Sequence, residues 1–335
     1  VTTTRGSHPS AGPVVLVGPA TEDWAGDARY AEYTAAVDPL AAGAISPVPI
    51  RRFPADLHGG KGTHLVDLDC SDALGTSSPA TTPALRASFA VLEPGSALVT
   101  EPEGTSELYY CLRGDGRSAF ERLGPGHGPR DGTVDWGEGD VLVLPAGCRT
   151  AHRAGTGRAV LYRVTDAPLL RYLGAEAAEA RFAPTRYPAA RTAELLEEVA
   201  RHPEASRRSR VSVLLGNAST PDTLTVTHVL WAMVGVLPPR EEQRPHRHQS
   251  VAVDLVADCP AGCYTLVGSH LDVDGRIVDP TRVEWEPGGA FVTPPGLWHS
   301  HHNESDLPAR IVPIQDAGLH TYLRSLDIRF AGPTA

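Results

Sequence analysis

Gly288-Gly289-Ala290-Phe291-Val292-Thr293-Pro294-Pro295-Gly296-Leu297-Trp298-His299-Ser300-His301-His302-Asn303 is the stretch whose reading decides the fold. It is a short apolar run, a Pro-Pro-Gly turn, and a second run rich in histidine. Short runs bounded by glycine and proline read as strands joined by tight turns. Side chains two apart in a strand share a face. His301 and Asn303 therefore fall on the side of His299, and His302 faces away. About fifty residues upstream, Pro245-His246-Arg247-His248 aims two imidazoles to one side. It follows a turn-like run, Leu237 to Arg244, and precedes the β-branched run Val251 to Val256. Its spacing suits one metal ion. Taken alone it reads rather as two surface histidines in a basic loop, because a metal site needs a matching ligand set.

Working outward, the 335 residues suit two domains of ordinary size. Hydrophobic residues make up 41% and charged residues 21%, the balance of a soluble globular protein. The 33 glycines and 30 prolines point to many turns and short strands. A net charge of −10 argues against nucleic acid or an anionic membrane as the main partner. No apolar run reaches the ~18 residues of a membrane span, and no signal-peptide pattern opens the sequence. The five cysteines are odd in number and scattered, which suggests reduced thiols and a cytoplasmic location. Cys259 and Cys263 lack a second pair and read as loop thiols.

Residues 1–80 read as an N-terminal arm followed by covering segments. A short helix is expected within Glu22 to Ala36, and strands near Ile50–Phe53 and His64–Leu68. Residues 81–170 carry short strands with Gly/Pro turns, the texture of an antiparallel barrel or sandwich. Residues 171–222 form a connection with a helix over Thr192–Arg201, where Leu195, Leu196 and Val199 share a face. Residues 223–335 form a second β-rich half. It begins with a strand-like run, Leu224 to Leu237, and has a hairpin signal at Asp274-Gly275. A closing helix or strand is expected over Leu319 to Arg329. Both halves run strand, turn, strand, Trp-x-x-Gly, apolar strand, Pro-x-Gly, then histidine. A repeat on this scale means a duplicated domain.

These motifs resemble the cupin superfamily, and specifically bicupins. The family's second motif, G(X)5PXG(X)2H(X)3N, is met by Gly288, Pro294, Gly296, His299 and Asn303. Of the first motif, G(X)5HXH(X)3,4E(X)6G, the C-terminal half keeps His246 and His248. Arg240 stands at the glycine, and Ala252 or Val253 at the glutamate. The N-terminal half keeps the spacing with Gly95, Glu101, Glu103, Glu107 and Gly114. Its second motif has Gly139, Pro145 and Gly147, with Thr150 at the ligand position and His152 two residues on. Either the three glutamates hold a hard cation, or the first barrel has lost its ligands and serves in packing; the second reading is adopted. The implied fold class is all-β, with two cupin barrels in one chain and a short helical connection.

Pro-His-Arg-His, followed by Pro-x-x-x-Trp-His-x-His-x-Asn-Glu, is similar to the gentisate 1,2-dioxygenase group and its salicylate- and hydroxynaphthoate-cleaving relatives. The resemblance implies Fe(II) held by His246, His248 and His299, with a small aromatic substrate and O2 as partners and a homo-oligomer as the assembly. Three neutral imidazoles leave about half of an octahedral ion open, which suits a bidentate substrate beside O2. His301 then becomes a candidate acid or base, or else a packing histidine. Trp231, Trp298, Asn303 and Arg210 are candidate substrate contacts, with Arg207 and Arg208 nearby in sequence. Asp254 stands where the group has an arginine that grips a substrate carboxylate. By parity it points inward, to repel a carboxylate and favour an amine or hydroxyl, or to pair with an arginine. The expected function is Fe(II)-dependent cleavage of a hydroxylated or amino-hydroxylated aromatic ring. The rivals are a flavonol-cleaving or amine-oxidising cupin oxygenase, and a ligand-binding bicupin without turnover.

Overall fold

The computed structural model describes residues 15–16, 26–202 and 211–332. Alternating side chains and frequent turns give two antiparallel barrels, each a six-stranded sheet facing a smaller one. In the first barrel the large sheet runs, in spatial order, Thr185–Tyr187, Val141–Pro145, Ser106–Arg113, Ala159–Thr165, Arg86–Leu92 and His64–Asp67. The facing sheet runs Ala97–Thr100, Cys148–Ala154, Asp115–Arg122 and Asp131–Gly137.

The second barrel repeats the plan. Its large sheet runs Val211–Leu215, Trp231–Leu237, Ala309–Gln315, Ala252–Asp258, Ala290–Thr293 and Arg52–Phe53. Its smaller sheet runs Thr281–Glu284, Cys263–Gly268, Trp298–Asn303, His246–Arg247 and Arg329–Phe330. The expected all-β double cupin is what is observed.

Three apolar clusters explain the arrangement. Trp136, Phe120, Leu142, Leu144 and Leu161 fill the first barrel, and Trp285, Phe291, Val256, Val267 and Ile311 fill the second. The third cluster lies between barrels. The outer faces of the two large sheets share it, with Phe89, Tyr162 and Val164 from one side and Val253, Leu255, Val312 and Ile314 from the other. Both faces of these strands are covered, so they read as near-continuous hydrophobic runs rather than clean alternations.

The covering segments are divided between the barrels. Arg52–Phe53 adds a strand to the second barrel, while His64–Asp67, a few residues later, adds one to the first. Within the connection, Thr185–Tyr187 pairs with the first barrel and Val211–Leu215 with the second. The helix between them spans Ala189–Arg201, slightly longer than its apolar face predicts. Around the expected N-terminal helix, the described residues hold one turn, Tyr33–Ala36. The run from Leu224 becomes a strand only at Trp231. Asp274-Gly275 turns the chain with Gly275 at φ 78°, but the segment beyond makes a single bridge, Leu271 to Ile277, and not a strand.

The duplication extends to the caps. Asp166 and Asp316 precede equivalent helices, Ala167–Leu173 and Ala317–Leu323. Asp166 accepts from the amides of Thr105 and Ser106 at 2.8 and 3.0 Å, and Asp316 from that of Val251 at 2.9 Å. Each carboxylate ties the end of its barrel to the start of a central strand. Burial raises the pKa of both, that of Asp316 to about 7.

Candidate metal centre

His246 and His299 sit directly opposite each other on adjacent strands. Their ring centroids are 4.1 Å apart, and those of His248 and His299 are 4.9 Å apart. All three rings are buried, and one ligand nitrogen from each lies within 4.8 Å of the other two. Among the described residues this is the one such cluster.

The rings are turned alike. Nδ1 of His246 faces the carbonyl of Arg244 at 3.3 Å, that of His248 the carbonyl of Ser250 at 2.8 Å, and that of His299 the carbonyl of Leu297 at 3.1 Å. A carbonyl only accepts, so Nδ1 carries the proton of each neutral ring and Nε2 keeps its lone pair. His248 has a further support. Ser250 Oγ lies 3.0 Å from its Nδ1 and donates to Gln315 Oε1 at 2.9 Å. Three buried neutral nitrogen donors, each oriented through its second ring nitrogen, form a donor set that fits a first-row divalent metal.

Around this cluster the predicted residues fall in different places. His301 shares the inner face, with its ring 6.0 Å from that of His299. Its Nδ1 meets Thr265 Oγ1 at 2.8 Å, and Trp285 Nε1 donates to the same oxygen at 2.8 Å. Asp254 is 2% exposed and lies opposite Phe291, a member of the inner cluster, so the inward reading of its parity holds. It accepts from Thr293 Oγ1 at 2.6 Å. Trp231 stands in a row with Gln315, Ala252 and Thr293 across the large sheet.

Two expected substrate contacts are placed elsewhere. Trp298 alternates to the face away from His299, and the Arg247 guanidinium covers its ring at 5.2 Å. Asn303 is on the inner parity, but its polar atoms are spent on the adjacent turn. Nδ2 donates to the carbonyls of Leu237, Pro238 and Leu307, and Oδ1 accepts from the Ser305 amide and hydroxyl. It is a loop anchor. His302 faces out, stacked on Tyr264 at 4.7 Å. Arg207, Arg208 and Arg210 lie outside the described residues.

The three glutamates of the first barrel do not converge. Glu101 pairs with Arg149 at 2.9 Å on the surface, and Glu103 with Arg86 and Arg171. Glu107 is buried against Arg163, with N to O at 2.6 Å. From it a chain of polar groups crosses the barrel: Tyr109 donates to Glu107, Thr100 Oγ1 meets the Tyr109 hydroxyl at 2.9 Å, and His152 Nε2 meets Thr100 at 3.2 Å. His152 Nδ1 meets Ser118 Oγ at 2.7 Å, and Trp136 Nε1 donates to Ser118 at 2.8 Å. One proton assignment satisfies every member, from the indole N–H to the ionised pair. Burial and the charge of Arg163 lower the His152 pKa to about 3, so the ring is neutral.

Sequence reasoning missed this chain and the Ser250–Gln315 support. Ser118–His152–Trp136 and Thr265–His301–Trp285 are equivalent units. Their signal was the repeated Trp-x-x-Gly with a histidine on the next strand but one.

Fold and cluster together define a double cupin fold with, among the described residues, one candidate metal centre, in the second barrel. No protein-family model matches the chain. Over 105 residues it is 31% identical to gentisate 1,2 dioxygenase 1 of Aquipseudomonas alcaligenes, covering 31% of this chain and 26% of that protein. The match thus spans about a quarter of that relative. The fold is similar to that of a salicylate 1,2-dioxygenase from Pseudaminobacter salicylatoxidans, with a TM-score of 0.64 and 15% identity over 84% of this chain and 88% of that one. A structure of the salicylate 1,2-dioxygenase adducts with gentisate gives a TM-score of 0.64 and 15% identity, covering 86% of each chain.

Proposed function

We propose that this chain is an Fe(II)-dependent dioxygenase that opens the ring of a hydroxylated or amino-hydroxylated aromatic compound, working in the second barrel. The observation that carries the reading is the buried trio His246, His248 and His299, each with Nδ1 facing a backbone carbonyl. The likeness in sequence and fold to gentisate and salicylate dioxygenases supports the reaction class.

Iron bound by these rings would supply the redox chemistry that brings O2 to the ring. The protein's part is to place and protect. Phe291, Trp285 and Val256 give the barrel interior an apolar side, which limits water there. His301, whose ring lies 6.2 and 6.0 Å from those of His246 and His299, is the candidate group to hold a substrate proton. Asp254 is the candidate for selecting against a carboxylate at the position where the resemblance implies an arginine. A carboxylate there accepts hydrogen bonds from a hydroxyl or amine and repels an anion. Trp231 is the candidate aromatic wall.

The five cysteines are buried and free, in keeping with a reducing compartment. No helix among the described residues is long and apolar enough to cross a membrane. A cytoplasmic homo-oligomer remains part of the proposal.

The test is anaerobic Fe(II) loading followed by iron analysis and O2 uptake on a panel of phenols, aminophenols and gentisate. The wild type should bind about one iron per chain and consume O2 with part of the panel. His246→Ala and His299→Ala should lose the iron. Full iron content in either variant refutes the site.

A further inference from the structure

We infer that the C-terminal strap, residues 327–331, is a working wall of the candidate metal centre and that Phe330 is a positioning residue for His246. The inference rests on reading His246, His248 and His299 as ligands. His246 lies on a strand of two residues, His246–Arg247. A strand that short has little stability of its own. On one side it is held by His299. On the other it is held by the strap, with His246 opposite Phe330 and Arg247 opposite Arg329. The strap is tied at both ends: Ala331 N donates to the Pro245 carbonyl at 2.7 Å, and Asp327 N to Gln249 Oε1 at 2.7 Å.

Phe330 then stacks on the His246 ring, with centroids 5.6 Å apart and planes 22° apart, and the Arg244 guanidinium lies over the other ring at 5.3 Å. His246 is 7% exposed and Phe330 is 41% exposed, so the phenyl ring stands between imidazole and solvent. The Nδ1 anchor of His246, at 3.3 Å, is longer than the 2.8 and 3.1 Å anchors of His248 and His299. The ring with the longest Nδ1 anchor is the one with an aromatic cover.

The first half offers an internal comparison. After its equivalent helix comes the same run, Arg181-Phe182-Ala183, matching Arg329-Phe330-Ala331. There Phe182 is 1% exposed in the core between the barrels, and neighbouring Ala180 bonds to the hairpin loop at Pro125 and His127. Only in the half with the histidine trio does this segment lie along the histidine strand.

The test uses the full chain and Co(II), whose visible spectrum reports its ligands. Phe330→Ala should weaken Co(II) binding about tenfold, the low end of the effect of losing a group that orients a ligand, and change the Co(II) spectrum. Phe330→Tyr, which keeps the ring, should restore both. Deletion from residue 327 should reproduce the Phe330→Ala phenotype, with an unchanged far-UV spectrum showing that the barrels remain folded. If His246→Ala abolishes binding while Phe330→Ala and the deletion bind within twofold of wild type, the strap inference is wrong and the site reading stands. If His246→Ala itself keeps Co(II), both fall.

Discussion

Replacing Ser250 by alanine removes one atom pair from the support of His248 and leaves another. In the wild type, Ser250 Oγ donates its proton to Gln315 Oε1 at 2.9 Å and therefore faces His248 Nδ1 as an acceptor. The Ser250 carbonyl, at 2.8 Å, accepts from the same Nδ1 and survives the substitution. Loss of a group that orients a ligand costs 10- to 100-fold in metal affinity, about 1.4–2.8 kcal/mol. With the carbonyl retained, Ser250→Ala should fall at the low end, about tenfold. Gln315→Leu is the sharper perturbation. It frees the serine proton to donate to Nδ1 in competition with the Ser250 carbonyl, and any shift toward the tautomer that protonates Nε2 removes the lone pair needed for the metal. It should weaken binding on the same scale as Ser250→Ala, although Gln315 is one residue further from the ring. The assay is anaerobic Fe(II) titration against a competing chelator, with urea melts of the metal-free proteins to separate affinity from folding. If both variants bind within twofold of wild type while His248→Ala does not bind, the argument from the tautomer is refuted.

Other expectations follow from the same geometry. Arg163→Ala strands the buried Glu107 carboxylate and should destabilise the protein by about 3–5 kcal/mol in urea melts, whereas Glu107→Leu with Arg163→Met should cost less because no charge is left buried. His152 has a folded pKa of about 3 against 6.5 unfolded, because it is buried neutral; its contribution is complete above pH 6.5 and is lost as pH falls toward 3, at about 1.4 kcal/mol per unit. Urea midpoints of wild type and His152→Gln between pH 7 and 4.5 should therefore converge as pH falls. Asp254→Arg should lower KM for carboxylate-bearing phenols by about tenfold, the scale of one charge-assisted contact; a folded, iron-loaded variant with unchanged preference would remove Asp254 from the pocket.

Much of this architecture was legible because it is carried by local spacing. Pro294, Gly296 and His299 are a turn and a strand start, and parity alone places His301 inward and His302 outward. Asp254 could be read inward for the same reason. Where the outcome depends on which partner a group finds, spacing alone does not decide it. A strand is expected near Ile50–Phe53 and Arg52–Phe53 is one, but which barrel it joins, like the place of Arg329–Phe330, is decided by the edge it finds. Asn303 has the parity of a pocket residue, but Ser305 and Leu307, only a turn away, satisfy its side chain. Glu101 and Glu103 keep ligand spacing, yet Arg149, Arg86 and Arg171 draw them apart.

The duplicated chain separates what the barrel needs from what the site needs. Both halves keep a Trp, a hydroxyl and a histidine in one hydrogen-bonded unit, although only one half has the imidazole trio. That unit is therefore part of the barrel's construction. What sets His301 apart is what the second half alone has beside it. At positions equivalent to His299, Asp254 and Gln315 the first half has Thr150, Tyr109 and Thr165, and its interior is closed by the chain from Arg163 to Trp136. His301 instead lies beside the His246 and His299 rings, 6.2 and 6.0 Å away. The same histidine is a link in a filled barrel and, in the other half, the neighbour of a ligand cluster. The difference lies in its surroundings rather than in the residue.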